Sequence, residues 1–586
     1  MKKSLALLLL LGIIPCRVAA NEPSETFNLS TRTPVSGTNW RFKDTTYYDH
    51  NPSIGNERGN RTIPTLFVQN GANLAIIGTS NEAEDRAVRV VVSGTARITL
   101  NDANITRTGD AIRKNPSVPI NQGLGDYEPV SPMMLLEGAN LTLTLLGNNT
   151  LAMVEDRNIN RWSAGLGVPH GASLTINGEG SLTARGGRNA AGIGSHEGTH
   201  AVPRLTGNIT INSGTIMATG GEIGAGIGGG SLMQAGRITI NGGNITAAIG
   251  GNIQPSLGAA GIGSGDGATA TTNNNIITIT GGTIRATGSS GAAGIGGGNN
   301  TRNAIGTISI SGGLITATGG GGTWAGAGIG GGFGDNAGGN VNITGGTITA
   351  RGGDERGTIL PGIGGGSMNT ANCAITINGN AVVDATLGGT PTLTRGIIFN
   401  DNTSAFHGTS ITPTNNFTIQ SGRTLTVPFG RTLTINEGIT LTNNGTVINN
   451  GTVLNCGEIT GWNGFWQGNP PDNCQPTSIS GVRRVDNRFG IMFAENPVSE
   501  SVEISVVLPA STASTGSATE TNIVIYDMTG NVVWADKIAN ERRLSRWDLR
   551  NTAGRIVANG TYLVIAEVKD QNGRTHTYSA RLGVKR

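Results

Sequence analysis

The pattern His196-Glu197-Gly198-Thr199-His200 sets two imidazoles four residues apart around a carboxylate. On a helix this spacing aims both rings at one zinc ion and leaves the glutamate beside the metal-bound water, which is hydrolytic chemistry. Helix is the condition. The five residues follow Ala191-Gly192-Ile193-Gly194-Ser195, contain a glycine themselves and are soon followed by Pro203, so the sequence predicts a loop. In a loop, His196, Glu197 and His200 amount at most to an adventitious surface metal site.

Gly224, Gly226 and Gly229 spell a dinucleotide-binding fingerprint, yet nearly the same spelling returns in neighbouring copies of a repeat, with no helix pattern behind it. Polysaccharide cleavage would need clustered carboxylates, to hold calcium or to act as acid and base. Between Ala164 and Asn400 the acids are Glu179, Glu197, Glu222, Asp266, Asp335, Asp354, Glu355 and Asp384, scattered along the segment. The densest polar group, Asp354 and Glu355 between Arg351 and Arg356, reads first as a solvated turn. Aromatic platforms for sugar rings are few, Trp162 and Trp324 being those in or beside the repeats. No residue is assigned a catalytic role, and the ligand-binding candidates are Trp324, Arg351, Asp354 and Glu355. No cofactor is implied; calcium is the ion a carboxylate cluster would call for.

These residues sit in an unusual background. Of 586 residues 95 are glycine, charged residues make up 13% and aromatics 4%, against roughly 25% charged in ordinary proteins. No lysine occurs between Lys114 and Lys537, which removes P-loop and Schiff-base chemistry from the middle of the chain. A net charge of +3 does not point to nucleic acid. Lys2 and Lys3, the apolar run Leu5 to Ile14 and Val18-Ala19-Ala20 read as a cleavable export signal over 1–20, and no later stretch is apolar enough to span a membrane. In an oxidising compartment Cys456 and Cys474 are a disulfide candidate, and Cys373, in an apolar strand, reads as a small core residue.

A repeat decides the architecture. Gly-Ile-Gly recurs with its isoleucine at Ile193, Ile227, Ile262, Ile295, Ile329 and Ile363, with Leu166 in an imperfect earlier copy, at intervals of roughly 34 residues. Between these marks run Ile209-Thr-Ile-Asn, Ile238-Thr-Ile-Asn, Ile277-Thr-Ile-Thr, Ile308-Ser-Ile-Ser and Val341-Asn-Ile-Thr, each followed by a glycine turn and a second short strand. Alternating apolar and hydroxyl residues mark strands with one buried face. Strands this short bury that face only by stacking on the next copy, so the sequence predicts an all-β fold, a parallel and right-handed β-helix solenoid. Val90-Val91-Val92, Ala96 to Leu100 and Leu141 to Leu145 read as irregular earlier coils. Phe417-Thr-Ile, Leu425-Thr-Val, Leu433-Thr-Ile, Val447 and Val453 read as shorter closing ones.

The last hundred residues differ. Glu503 to Val507, Ile523 to Tyr526, Val532 to Trp534, Tyr562 to Ile565 and Tyr578 to Leu582 are strands at short spacing, the pattern of a small antiparallel β-sandwich. Asn496-Pro497-Val498, Tyr526-Asp527-Met-Thr-Gly530-Asn531, Trp547-Asp548-Leu-Arg-Asn551, Gly554-Arg555, Gly560-Thr561-Tyr562 and the terminal Gly583-Val584-Lys585-Arg586 resemble the C-terminal sorting domain of type IX secretion substrates. A related Ig-like domain occurs in flagellar hook-capping proteins. The resemblance covers about the last 95 residues. It implies an Ig-like module read by outer-membrane secretion and attachment machinery, often cleaved at the surface. The Gly-Ile-Gly-Gly repeats separately resemble those of carbohydrate-binding or adhesin-like β-helix proteins of anaerobic gut bacteria.

The expected organisation is a signal peptide (1–20), an N-terminal segment or cap (21–60), irregular coils (61–163), the Gly-Ile-Gly-Gly β-helix (164–390), closing coils (391–456), a linker (457–489) and the Ig-like domain (490–586). The expected role is a non-catalytic, exported protein, at the cell surface or extracellular, that adheres or binds a polysaccharide or host glycan. A β-helix polysaccharide lyase or glycoside hydrolase is the alternative.

Overall fold

In this computed structural model, residues 22–51, 56–81, 86–108, 112–113, 127–154, 162–198, 205–249, 257–269, 276–301, 306–334, 339–368, 373–400, 402–461, 464–474, 490–493, 497–507, 520–539, 544–569 and 575–585 are described. Among them every regular element is a strand. The export-signal residues 1–20 lie outside this set.

Each repeat lays down one coil with three short strands. The first face stacks Ser173–Gly178, Asn208–Ile211, Arg237–Ile240, Ile276–Ile279, Thr307–Ile310, Asn340–Ile343 and the start of Ala374–Asp384, all parallel. Ile209, Ile238, Ile277, Ile308, Val341 and Ile375 fall in one register column. A second face stacks Ser181–Arg185, Thr215–Gly220, Asn244–Ile249, Thr283–Thr287, Leu314–Thr318 and Thr347–Arg351, with Ala184, Ala218, Ala247, Ala286, Ala317 and Ala350 aligned. The Gly-Ile-Gly segments close the third. All these isoleucines and alanines are buried in one continuous core. Stacking like on like gives each rung the same hole to fill, and the alanines leave room for isoleucines arriving from the other faces.

The third face explains its own glycines. Gly194, Gly228, Gly263 and Gly296 take φ between +131° and +149°, a region closed to other residues, and a Cβ on any of them would strike the carbonyl oxygen of the equivalent glycine one rung on. On the first face, outward asparagines form a ladder: Asn212 donates to Asn177 at 2.8 Å, Asn241 to Asn212 at 2.8 Å, and Thr280 to Asn241 at 2.9 Å. Strands one rung apart bring like amides within reach of each other.

Upstream, Thr95–Arg107 and Asn140–Leu146 extend the first face, and Arg89–Ser93 and Met133–Leu135 the third. Trp40–Asn51 and Asn56–Gln69 form an antiparallel hairpin whose second strand pairs with Arg89–Ser93, while Phe27 and Trp40 join the core. Downstream, Ala374–Asp384 and Thr392–Asn400 form a shared wall. Val383 and Ile398 face the main core, Val382 and Ile397 a second one. A strand buried on both sides reads as a continuous apolar run, which accounts for the doublets Val382-Val383 and Ile397-Ile398.

The second core is built from shorter coils that continue further than expected. Thr446–Asn449 pairs with Phe465–Gly468, Thr440–Asn443 with Glu458–Thr460, and Thr452–Asn455 with Asp472–Asn473, so the strands within 458–461 and 464–473 belong to a final coil, where a linker was expected. Asn469, one of the asparagines that give this stretch a linker composition, bonds to the preceding coil: its Nδ2 donates to the Gly451 carbonyl at 2.9 Å and its carbonyl accepts from Asn449 Nδ2 at 2.8 Å. Cys456 and Cys474, each one residue beyond the paired Asn455 and Asn473, are joined as a disulfide across these rungs.

The chain divides into two units, the second beginning at Gln475. That unit contains an antiparallel sheet of Gly490–Phe493, Val502–Val507 and Leu544–Trp547 and another of Glu520–Tyr526, Val532–Ala539, Gly560–Lys569 and Thr575–Val584. Residues from both sheets, Ile504 and Trp547 among them on one side and Ile525 and Val564 on the other, share one core.

Candidate functional site

One corner of the solenoid collects most of the side chains with functional potential. It lies beside the Gly-Ile-Gly strands, where the fourth residue after each isoleucine (Glu197, Ser231, Asp266, Asn299, Phe333 and Ser367) follows those strands and returns to the loop that precedes them, as in the bonds from Ser231 N–H to the Asn189 carbonyl at 2.7 Å and from Asn299 N–H to the Gly258 carbonyl at 2.9 Å. Backbone bonds stack these residues, from Gly198 N–H to the Ser231 carbonyl (2.8 Å), Leu232 to Asp266 (2.7 Å) and Gly267 to Asn299 (2.9 Å).

His196 and Glu197 sit on this corner in backbone that is neither helix nor strand. The Ala164 N–H donates to His196 Nδ1 at 3.1 Å, so the ring proton is on Nε2, which packs over Gly167 where a Cβ would collide with the ring. Burial lowers the imidazole from its ordinary 6.5 to about 4, keeping it neutral. The Glu197 carboxylate accepts from Asn189 Nδ2 at 2.9 Å. His200 lies outside the described residues, and among those no three His, Cys, Asp or Glu side chains are grouped as metal ligands.

Asp266, which sequence reasoning treated as one of the scattered acids, is almost wholly buried. Burial raises its carboxyl from 3.8 to about 7, opposed by a bond from the Gly258 N–H at 3.3 Å. Its place in the repeat was the available signal, since Ser231, Asn299 and Ser367 of the same column are buried as well.

Of the ligand candidates, Glu355 lies on the rung next to the segment that carries Trp324, and Arg351 does not join them. Trp324 stacks on Phe333, with ring centroids 4.4 Å apart and planes inclined by 19°, and both rings are half-buried. Glu355 pairs as backbone with Gly322, and its Oε2 lies 2.8 Å from Ser367 Oγ. Asp354 accepts from the Gly357 N–H at 2.6 Å, closing the small hairpin of Asp354–Glu355 and Thr358–Ile359. Arg351 turns to Asp384, donating to its Oδ2 at 2.7 Å, while Arg423 donates to Oδ1 at 2.9 Å. Phe333 was missed because a single phenylalanine in a glycine-rich loop carries no periodic signal.

In the second unit the residues singled out by the resemblance build turns and core. Asp527 accepts from the Thr529 and Asn531 N–H groups, both at 2.9 Å, around Gly530, and hydrogen bonds from this turn hold its carboxyl at about 2. Trp547 is fully buried, donates to the Arg550 carbonyl at 2.8 Å and meets Tyr562 edge-on at 5.6 Å. Tyr562 donates to the Ala558 carbonyl at 2.7 Å, and burial raises its phenol. Asp548 pairs with Arg550 at 3.6 Å. Gly560 opens the strand Gly560–Lys569 with φ +158°. Val498, next to Pro497, exchanges backbone bonds with Gly583 and Lys585 at 2.8 and 3.0 Å. Asn496 lies outside the described residues.

No curated protein matches the chain. Among solved structures, dimeric latent PorU from Porphyromonas gingivalis is 22% identical over 16% of this chain and 9% of its own, with a TM-score of 0.14. PorZ, described as a bacterial surface component of the type-IX secretion system of the same organism, is 23% identical over 17% of this chain and 12% of its own, at 0.13. CopC from Methylosinus trichosporium OB3b is 16% identical over 16% of this chain and 93% of its own, at 0.12. This chain therefore spans only a small part of the length of the first two. The beta helix repeat family matches residues 174–198, 209–231, 238–266, 277–299, 308–333 and 341–367, one segment for each successive coil, and it is to this repeat that the solenoid is similar.

Proposed function

We propose that this is an exported, non-catalytic protein that binds a glycan or adheres to a glycan-bearing surface, with the solenoid as a rigid display scaffold. Its C-terminal β unit would serve as the sorting module addressed to outer-membrane secretion and attachment machinery. The reading is carried by the engagement of four of the acids between Ala164 and Asn400. Glu222 pairs with Arg188 at 2.8 Å, Asp384 with two arginines, Glu197 with Asn189, and Asp354 with its own turn. Carboxylates engaged in holding the framework are poorly placed to act as a general acid and base pair. The half-buried Trp324 and Phe333 rings, by contrast, offer contact surface without a reactive group.

The sorting half of the proposal rests on the C-terminal motif residues quoted above. The test for the binding half is retention on a polysaccharide panel combined with an assay for reducing ends and unsaturated products; retention without product is expected, and product formation overturns the reading. For sorting, a chain truncated before Asn496 is expected to stay in the periplasm, and its recovery at the cell surface defeats that half.

A further inference from the structure

We infer that the corner formed by Trp324, Phe333 and Glu355 is a saccharide subsite, taking one neutral sugar unit of a polysaccharide chain. The inference rests on the glycan-binding reading and goes on to place the contact. Three independent features converge there.

The first is an interruption of the repeat. Nine residues separate Ala184 from Ile193, Ala218 from Ile227 and Ala286 from Ile295, whereas fifteen separate Ala247 from Ile262, twelve Ala317 from Ile329 and thirteen Ala350 from Ile363. Three rungs thus carry extra chain at the same corner, the last two of them consecutive, and in solenoids insertions on one face tend to build the binding surface. The second is a change of residue type. The column that holds Glu197, Ser231, Asp266, Asn299 and Ser367 holds phenylalanine at Phe333, in the same rung whose inserted chain supplies Trp324.

The third is geometry. Gly291 of the rung below fixes both aromatic residues, donating its N–H to the Trp324 carbonyl at 3.1 Å and accepting from the Phe333 N–H at 2.5 Å. A side chain at Gly291, whose φ is +71°, would collide with the Asn299 amide, with the Phe333 Cβ the next neighbour at 3.3 Å. On the rung above, Ser367 Oγ holds Glu355 by Oε2 and also accepts the Ala325 N–H at 2.8 Å, while Oε1 makes no hydrogen bond among the described residues.

A flat aromatic surface beside a fixed carboxylate matches the two sides of a pyranose, an apolar C–H face and a rim of hydroxyl donors. Anionic sugars fit less well, since the free acceptor is a carboxylate and Arg351 is held by Asp384. The rings are already stacked against each other, so little side-chain freedom is lost on binding.

The rung below supplies the test substitutions. Trp324→Ser with Phe333→Asn installs the residues found at Ser290 and Asn299 and removes the platform while keeping a corner that the fold already uses. The full mature chain and this variant are compared by affinity electrophoresis in xyloglucan, galactomannan, mixed-linkage β-glucan and starch. The expected result is at least a tenfold weaker retardation of the double variant, with Glu355→Gln weakened several-fold and thermal melts superimposable. Unchanged retardation of the double variant places the contact elsewhere and overturns this inference while leaving glycan binding intact. If the wild-type chain is retarded by none of the four polymers, the broader reading falls as well. Should the variant melt early, hydrogen exchange on the wild-type chain decides: oligosaccharide must protect residues 319–334, and protection confined to other coils, or displacement by an apolar peptide alone, overturns the assignment.

Discussion

Arg351 and Asp384 face each other across adjacent rungs, joined from Nη2 to Oδ2 at 2.7 Å and from Nη1 to the Asp384 backbone carbonyl, also at 2.7 Å. The other carboxylate oxygen of Asp384 takes Arg423 from the first of the short coils. Arg351 is thereby a junction residue, and the densest polar group of the repeat region is divided between the wall of the two cores and the inserted hairpin.

Asp384→Ala removes the acceptor from both guanidiniums and leaves that of Arg423 largely buried. A loss of about 1–3 kcal/mol is expected. Hydrogen exchange should show it first in residues 392–460, with the coils carrying Ile209 to Ile348 retaining protection.

Gly228→Ala combines a disallowed backbone angle with a collision against the Gly263 carbonyl oxygen. The expected cost exceeds about 3 kcal/mol and should appear as loss of soluble protein. Gly438→Ala, at φ +80° with open space around its Cβ, meets only the angle and should cost about 1 kcal/mol by thermal melting.

His196 and Asp266 give pH dependences of opposite sign. The imidazole is neutral in the fold down to about 4 but takes a proton at 6.5 when unfolded, so the unfolded chain binds the extra proton and stability falls as pH drops from 6.5 to about 4. His196→Gln should flatten that acid limb in melts recorded from pH 4 to 7, by about 3 kcal/mol.

The Asp266 carboxyl stays protonated in the fold up to about 7 and ionises at 3.8 when unfolded, so its contribution is present at acid pH and lost as pH rises from 3.8 to about 7. Asp266→Asn removes this loss. The variant should melt higher than wild type at pH 8, by an amount on the order of 2–4 kcal/mol, and match it near pH 4.

Reducing the Cys456 to Cys474 bond frees a loop that contains the whole final coil, the two cysteines being 18 residues apart. A loss of about 3 kcal/mol is expected. Paired Cys456→Ser and Cys474→Ser substitutions should make 458–473 the earliest site of proteolysis, whereas the Gly-Ile-Gly coils remain resistant.

The solenoid was legible because its chemistry is periodic. Isoleucine at fixed intervals, alternating with threonine, can be dry only if successive copies lie on one another, and the glycines of Gly-Ile-Gly leave no other backbone arrangement as close. The final coil was not legible. Asn469 looks like a linker residue until the rung beside it offers the Gly451 carbonyl to which it bonds.

The sequence by itself therefore determined the stacking, the all-β class and the change of architecture near the C-terminal unit, since these follow from residue spacing. Only the tertiary structure decided which side chains meet. It joined Trp324 to Phe333, drew Arg351 away to Asp384 and buried Asp266, because contacts between rungs depend on how many residues each corner inserts, and that count changes from coil to coil.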